Sequence, residues 1–154
     1  MQKIIKKFSH LKIHTQYSIC EGAIKIDDLK EYCKRNQIQS IGISDTKNLC
    51  GALEFSESIS KSGTQPIIGT QINFKYNDNI GLLPLVALNE NGYKRIIELS
   101  SKYYLESNDL SELSLSINTL LEKPDGIAIF SGTSFGFFGK LFDKGRLEDI
   151  DKIY

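Results

Sequence analysis

The sequence predicts an α/β fold built on a mostly parallel sheet, and three observations carry that prediction. Apolar runs of strand length alternate with runs at helical spacing along the whole chain. The period switches after Gly22, and a helical run stops at Gly63. His14, Asp45, Gln71 and Thr133 all fall at or just past the C-terminal ends of predicted strands, the edge where such a sheet gathers its active groups.

The elements follow in order. Leu11 and Ile13 alternate with His10, Lys12 and His14, a period of two that predicts a first strand ending at His14, with one apolar and one polar face. Beyond Gly22, Ile26, Leu29, Tyr32 and Cys33 recur at helical spacing, and Asp27 and Asp28 suit the positive end of that helix. SIGIS (40–44) predicts a second strand, residues 51–62 a second helix, PIIGTQINF (66–74) a third strand and LLPLVAL (82–88) a fourth, despite Pro84. Residues 91–105 predict an amphipathic helix with a stripe of Tyr93, Ile96, Ile97, Leu99, Ser100 and Tyr103. After a polar stretch (106–116) a short helix reaches Leu121, GIAIFSG (126–132) gives a fifth strand, and the chain returns to helix. The strands around 11–14, 67–72 and 126–130 are expected to lie parallel in one sheet. No repeat, low-complexity tract or linker divides the chain.

Composition narrows the function classes. At 154 residues, 40% hydrophobic and 25% charged, the chain has the length and balance of one soluble domain. Lys plus Arg and Asp plus Glu are both 19, so no excess positive charge is available to hold a phosphate backbone. The basic start MQKIIKKF is too short for a secretory core, and no apolar run approaches the ~20 residues of a membrane span, which makes the cytoplasm the expected compartment. Cys20, Cys33 and Cys50 form no C-x-x-C pair and are odd in number, against both a disulfide framework and a cysteine zinc knuckle. They are expected to be reduced and mostly buried.

Four features carry candidate chemistry. His10, Lys12 and His14 share one strand face and bring two imidazoles near each other, but zinc wants three or four N, S or O ligands and the intervening ammonium repels a cation. The helical H-E-x-x-H alternative fails because Leu11 stands where the glutamate belongs. Gly132-Thr133-Ser134-Phe135-Gly136 matches G-x-S-x-G after a predicted strand, as a nucleophile elbow would. That fold places its histidine after the serine, yet both histidines of this chain lie before it, so a tight glycine turn is the better reading. Asp45 directly follows an apolar strand, where an acid caps a helix or holds a metal. Phe135, Phe137, Phe138 and Phe142, around Gly139, read as core or interface rather than a base-stacking platform.

Taken together, HLKIHTQYSICEGAIKIDDL, SIGISDTKNLCGALEF, PIIGTQINF, NENGYKRIIELSSKYYLE and GIAIFSGTSFG resemble, in order and spacing, successive segments of the polymerase-and-histidinol-phosphatase (PHP) domain of bacterial DNA polymerase III alpha subunits. The resemblance implies a distorted (β/α)7 barrel, with residues 1–154 supplying the first five strands or so before the barrel closes. It also implies a set of metal-site positions. The first histidine of the family's His-x-His pair is Lys12 here and the second is His14. Glu21 keeps a carboxylate, the aspartate-histidine pair is Asp45 followed by Thr46, the third-strand glutamate is Gln71, and the cysteine of the Ser-Gly-Cys turn is Thr133. An ammonium, an amide and two hydroxyls thus replace four donors, so the resemblance implies a vestigial site with no metal and no catalytic residue in this segment.

By the same resemblance the parent would be a template-directed DNA polymerase of chromosome replication, a nucleotidyltransferase using Mg2+ in two-metal chemistry carried by other regions. This segment would need no cofactor. It would act as a scaffold docking the proofreading exonuclease subunit and other holoenzyme subunits, with DNA held elsewhere in the parent and no membrane contact. A stand-alone PHP-type metal-dependent phosphoesterase and the error-prone alpha-subunit paralogue are the alternatives. Within the site, the Lys12 ammonium is expected to lie among His14, Glu21 and Asp45 and to supply the positive charge of the missing metal.

Overall fold

The computed structural model describes residues 8–106 and 113–153. The basic start and part of the polar stretch after the third predicted helix lie outside them. The chain forms helix α1 (Ile26–Asn36), strands β1 (Ser40–Gly42) and β2 (Asp45–Thr46), helix α2 (Ala52–Ser60), strands β3 (Gln65–Ile67), β4 (Gly69–Tyr76) and β5 (Asn79–Ala87), and helix α3 (Glu90–Leu105). Strand β6 (Leu115–Ser116), helix α4 (Ile117–Leu121), strand β7 (Ile127–Ile129), and helices α5 (Phe137–Asp143) and α6 (Leu147–Ile153) complete it.

The α/β class is as expected, but the strands expected around 11–14, 67–72 and 126–130 do not share one parallel sheet: β1 and β3 form a two-stranded sheet, and β2, β4, β5, β6 and β7 a mixed one. β1 pairs in parallel with β3, and β2 with β4, Asp45 facing Thr70 and Thr46 facing Gln71. β5 then runs antiparallel to β4 from Gly69↔Val86 to Tyr76↔Asn79 and antiparallel to β7 on its other side. β7 therefore points the same way as β4, with an opposed strand between them. The cause is the two-residue turn at Asn77 and Asp78, with Asn77 at φ 54: so short a connection can only reverse the chain, because a parallel crossover takes a dozen residues or so. The first predicted strand is reduced to an isolated parallel bridge between Ile13 and Ile43, supported by hydrogen bonds from Gly42 N–H to the His10 carbonyl and Ser44 N–H to the Ile13 carbonyl. The single third strand is split at Ile68 into β3 and β4.

Two apolar cores hold these layers. Ile41 and Ile43 pack against Ile26, Leu29 and Cys33 of α1 and Phe55 and Ile59 of α2. α1 forms because those apolar residues recur on one face, with acids in its first turn and Lys34 and Arg35 in its last. It ends at Gln37, which turns left-handed at φ 51 and donates back into the last turn. The larger core joins Ile72, Phe74, Leu83 and Leu85 of the sheet to Ile96, Leu99 and Tyr103 of α3 and to the helices at the chain's end. The Asn89 side chain caps α3 by accepting from Gly92 N–H at 2.9 Å. Ile97, expected in the buried stripe of α3, is exposed, and Arg95 takes the inward position, reaching Glu98 at 2.7 Å and the Thr119 carbonyl.

Candidate functional site

The predicted positions gather where the first extended segment, β2 and β4 meet. Immediately after His14 the chain makes a tight turn, with Ser18 N–H donating to the Thr15 carbonyl at 2.9 Å and Glu21 and Gly22 N–H both returning to the Ser18 carbonyl. Gly22 is required here, since a Cβ would lie 2.1 Å from the Thr15 carbonyl oxygen. Cys20 takes a left-handed φ of 64 within this turn, a conformation a non-glycine residue adopts only when its surroundings hold it there.

Asp45 is the anchor. It is 1% exposed, and among the described residues it forms no ion pair. One carboxylate oxygen accepts from Thr15 N–H at 2.6 Å and Ser18 Oγ at 2.7 Å, and the other from Thr15 Oγ1 at 2.8 Å. Ser18 has one proton, and Asp45 takes it. Its oxygen then accepts from Thr46 N–H at 3.0 Å and lies 3.4 Å from His14 Nδ1. A hydroxyl with its proton committed can only accept, so any bond with His14 needs a hydrogen on Nδ1.

A second chain of bonds crosses above. Gln71 Nε2 donates to Thr46 Oγ1 at 2.7 Å, and Thr46 Oγ1 donates to the Glu21 carboxylate. Gln71 Oε1 is buried without a partner. Around the rim, Asn48 Nδ2 donates to the carbonyls of Tyr17 and Thr46, and Tyr17 Oη donates to Glu54, whose carboxylate raises the Tyr17 phenol pKa.

The structure thus joins His14, Glu21, Asp45, Thr46 and Gln71 in one network and leaves Lys12 and Thr133 out of it. Those two are exposed and line a separate cavity of about 230 Å³ with Leu11, Pro84, Phe130, Ser131 and Gly132. The expected placement of the Lys12 ammonium between Glu21 and Asp45 is therefore corrected: among the described residues Lys12 forms no ion pair with either. The turn's hydroxyls and backbone N–H satisfy Asp45 instead, so no cation is needed. His10 lies edge-on to Phe8 at 4.7 Å and lines a different groove with Ile13, Ile24 and Tyr32, so the two histidines do not converge. Gln71 sits within β4 rather than past a strand end. Of the cysteines only Cys33 is buried, where burial raises its thiol pKa.

Thr15 and Ser18, the residues that hold Asp45, were missed by sequence reasoning. A signal was present: Thr15 Oγ1 accepts from Tyr17 N–H at 3.2 Å, the local turn that hydroxyl residues favour after a strand. The G-x-S-x-G stretch is a turn, with Gly136 N–H on the Thr133 carbonyl and Gly132 at φ 82, and Ser134 is exposed with no histidine partner.

The residues present do not fit a multinuclear metal. Among the described residues no three His, Cys, Asp or Glu side chains come together, and both oxygens of Asp45 are filled by donors.

A mixed α/β sheet whose strand ends carry a polar cluster from the first extended segment, β2 and β4 is the frame of a PHP domain. Residues 10–154 match the PHP domain family model, and the chain belongs to that family. It is 34% identical over 149 residues to the DNA polymerase III subunit alpha of Haemophilus influenzae and 34% identical over 152 residues to that of Caulobacter vibrioides. These alignments take in 94% and 90% of this chain but 13% of each relative, so the chain spans about an eighth of the length of the curated relatives it matches. Among solved structures, an amidohydrolase from Chromobacterium violaceum with bound sulfate and no metal shares the fold at a TM-score of 0.50 and 10% identity, over 62% of this chain and 32% of that one.

Proposed function

We propose that this chain is the N-terminal PHP segment of a DNA polymerase III alpha subunit, a DNA-directed DNA polymerase of bacterial chromosome replication, and that the segment is a metal-free scaffold. The observation that carries this is the near end-to-end match to two alpha subunits, joined to a site whose acids are satisfied by neutral donors. Nucleotide addition with Mg2+, and the grip on DNA, belong to the remainder of the parent. Zero net charge supports that division. No helix among the described residues is long and apolar enough to cross a membrane, in keeping with a cytoplasmic replication protein.

The closed (β/α)7 barrel is part of the same reading. Leu11 and Lys12 on one side and the residues following β7 on the other face each other across the 230 Å³ cavity, a gap suited to further strands of the parent. The outer surface would dock the proofreading exonuclease subunit and other holoenzyme subunits. Two measurements test the proposal. Metal analysis of the purified protein is expected to find no stoichiometric zinc or manganese, and size-exclusion chromatography is expected to show it eluting with the exonuclease subunit of its own organism. Bound metal with phosphoesterase turnover would replace this reading with a stand-alone phosphoesterase.

A further inference from the structure

The turn at residues 16–21 is an unfavourable piece of chain. Cys20 is left-handed in its second half and Ile19 is 84% exposed at its tip, so apolar packing holds it only near its start, where Tyr17 lies against the smaller core. What reaches the rest of it from the sheet is polar. Asp45 fixes its start through Thr15 and Ser18, and Glu21, near its far end, is held by Thr46, itself held by Gln71. Thr46 and Gln71 face each other across the β2–β4 pair, so the second clamp ties the turn to two strands at once.

We propose that Thr46 and Gln71 form a hydrogen-bonded lock on Glu21 that takes over the cross-linking task a metal performs at such a strand edge. The proposal rests on the metal-free reading of the site. Its logic is directional: Gln71 Nε2 can only donate, which leaves the Thr46 proton to point at Glu21, and a carboxylate is the strongest acceptor available to it. Every link is neutral except the last, so the lock needs neither a cation nor a second acid. Gln71 Oε1 is left without a partner by this arrangement: the amide is oriented toward Thr46 although its own oxygen goes unsatisfied.

Amide hydrogen exchange on the protein tests the lock. Glu21 is exposed and takes no part in either apolar core, so Glu21→Ala removes the lock without threatening the fold. Exchange at the amides of Glu21 and Gly22 is expected to quicken about tenfold in Glu21→Ala and in Thr46→Val, while the β4–β5 amides stay unchanged and Thr46→Ser, which keeps the hydroxyl, behaves as the parent. Unchanged exchange at the turn in both Glu21→Ala and Thr46→Val would overturn the lock and leave the metal-free reading standing. Slower exchange at the turn of the unaltered protein on adding Zn2+ or Mn2+ would overturn the metal-free reading, and the lock with it.

Discussion

Removing the Asp45 carboxylate tests the site most directly. In Asp45→Ala the Thr15 N–H, bonded at 2.6 Å, loses its acceptor in a fully buried setting, and an orphaned buried donor costs about 1–3 kcal/mol. The hydroxyls of Thr15 and Ser18 lose charge-assisted bonds but can rotate; Ser18 can turn toward His14, already 3.4 Å away. Adding a smaller share for these bonds gives a total loss of about 3–4 kcal/mol. Asp45→Asn behaves differently. The oxygen that serves both Thr15 N–H and Ser18 is kept, and the new NH2 can donate to Thr15 Oγ1, which is an acceptor as well as a donor, so the loss should be about 1–2 kcal/mol. Urea unfolding followed by far-UV circular dichroism reads both numbers. An alanine variant within about 1 kcal/mol of the parent, or an asparagine variant as damaged as the alanine, would refute the account of Asp45 as a buried hub of neutral donors.

Three further outcomes follow from the packing. Lys12→Met should change stability by no more than about 0.5 kcal/mol, because Lys12 is exposed and forms no ion pair among the described residues; a loss above about 1 kcal/mol would return it to the acids. Gly92→Ala should cost about 2–4 kcal/mol in the same urea assay, since its Cβ would lie 1.7 Å from the Gly126 carbonyl oxygen where α3 meets the loop before β7; a neutral result would mean the two backbones part freely. Tyr103 is buried, its hydroxyl without a hydrogen-bond partner among the described residues, and burial pushes its pKa up to about 12. The raised value favours the neutral phenol in the fold, so this contribution is complete below pH 10 and falls away as pH rises toward 12. Tyr103→Phe should therefore be neutral or slightly stabilising near pH 7 and should lessen the alkaline loss; unchanged alkaline unfolding would show that Tyr103 does not titrate with the fold.

The local elements and the family were legible in the sequence. Ile26, Leu29 and Cys33 marked α1, the repeat from Tyr93 to Tyr103 marked α3, and the order of the separated segments pointed to the PHP family. Periodicity and turn chemistry act over a few residues, so they can be read without the fold. The direction of β5 stood at the border: Asn77 and Asp78 form the reversing turn, but with strands assigned to 66–74 and 82–88 the gap looked longer than the two residues that decide it. Of the site, the family resemblance marked His14, Glu21, Asp45, Thr46 and Gln71, but not the bonds among them nor Thr15 and Ser18, which hold Asp45. Asp45 meets Thr15 and Ser18 at separations of 30 and 27 residues, and Thr46 meets Glu21 and Gln71 at 25 each. A carboxylate needs donors, and charge alone suggested Lys12. Only the tertiary structure decided that two hydroxyls and a backbone N–H stand closer to Asp45, because which donor fills a buried acceptor depends on where the turn carries it and not on which residue has the larger charge.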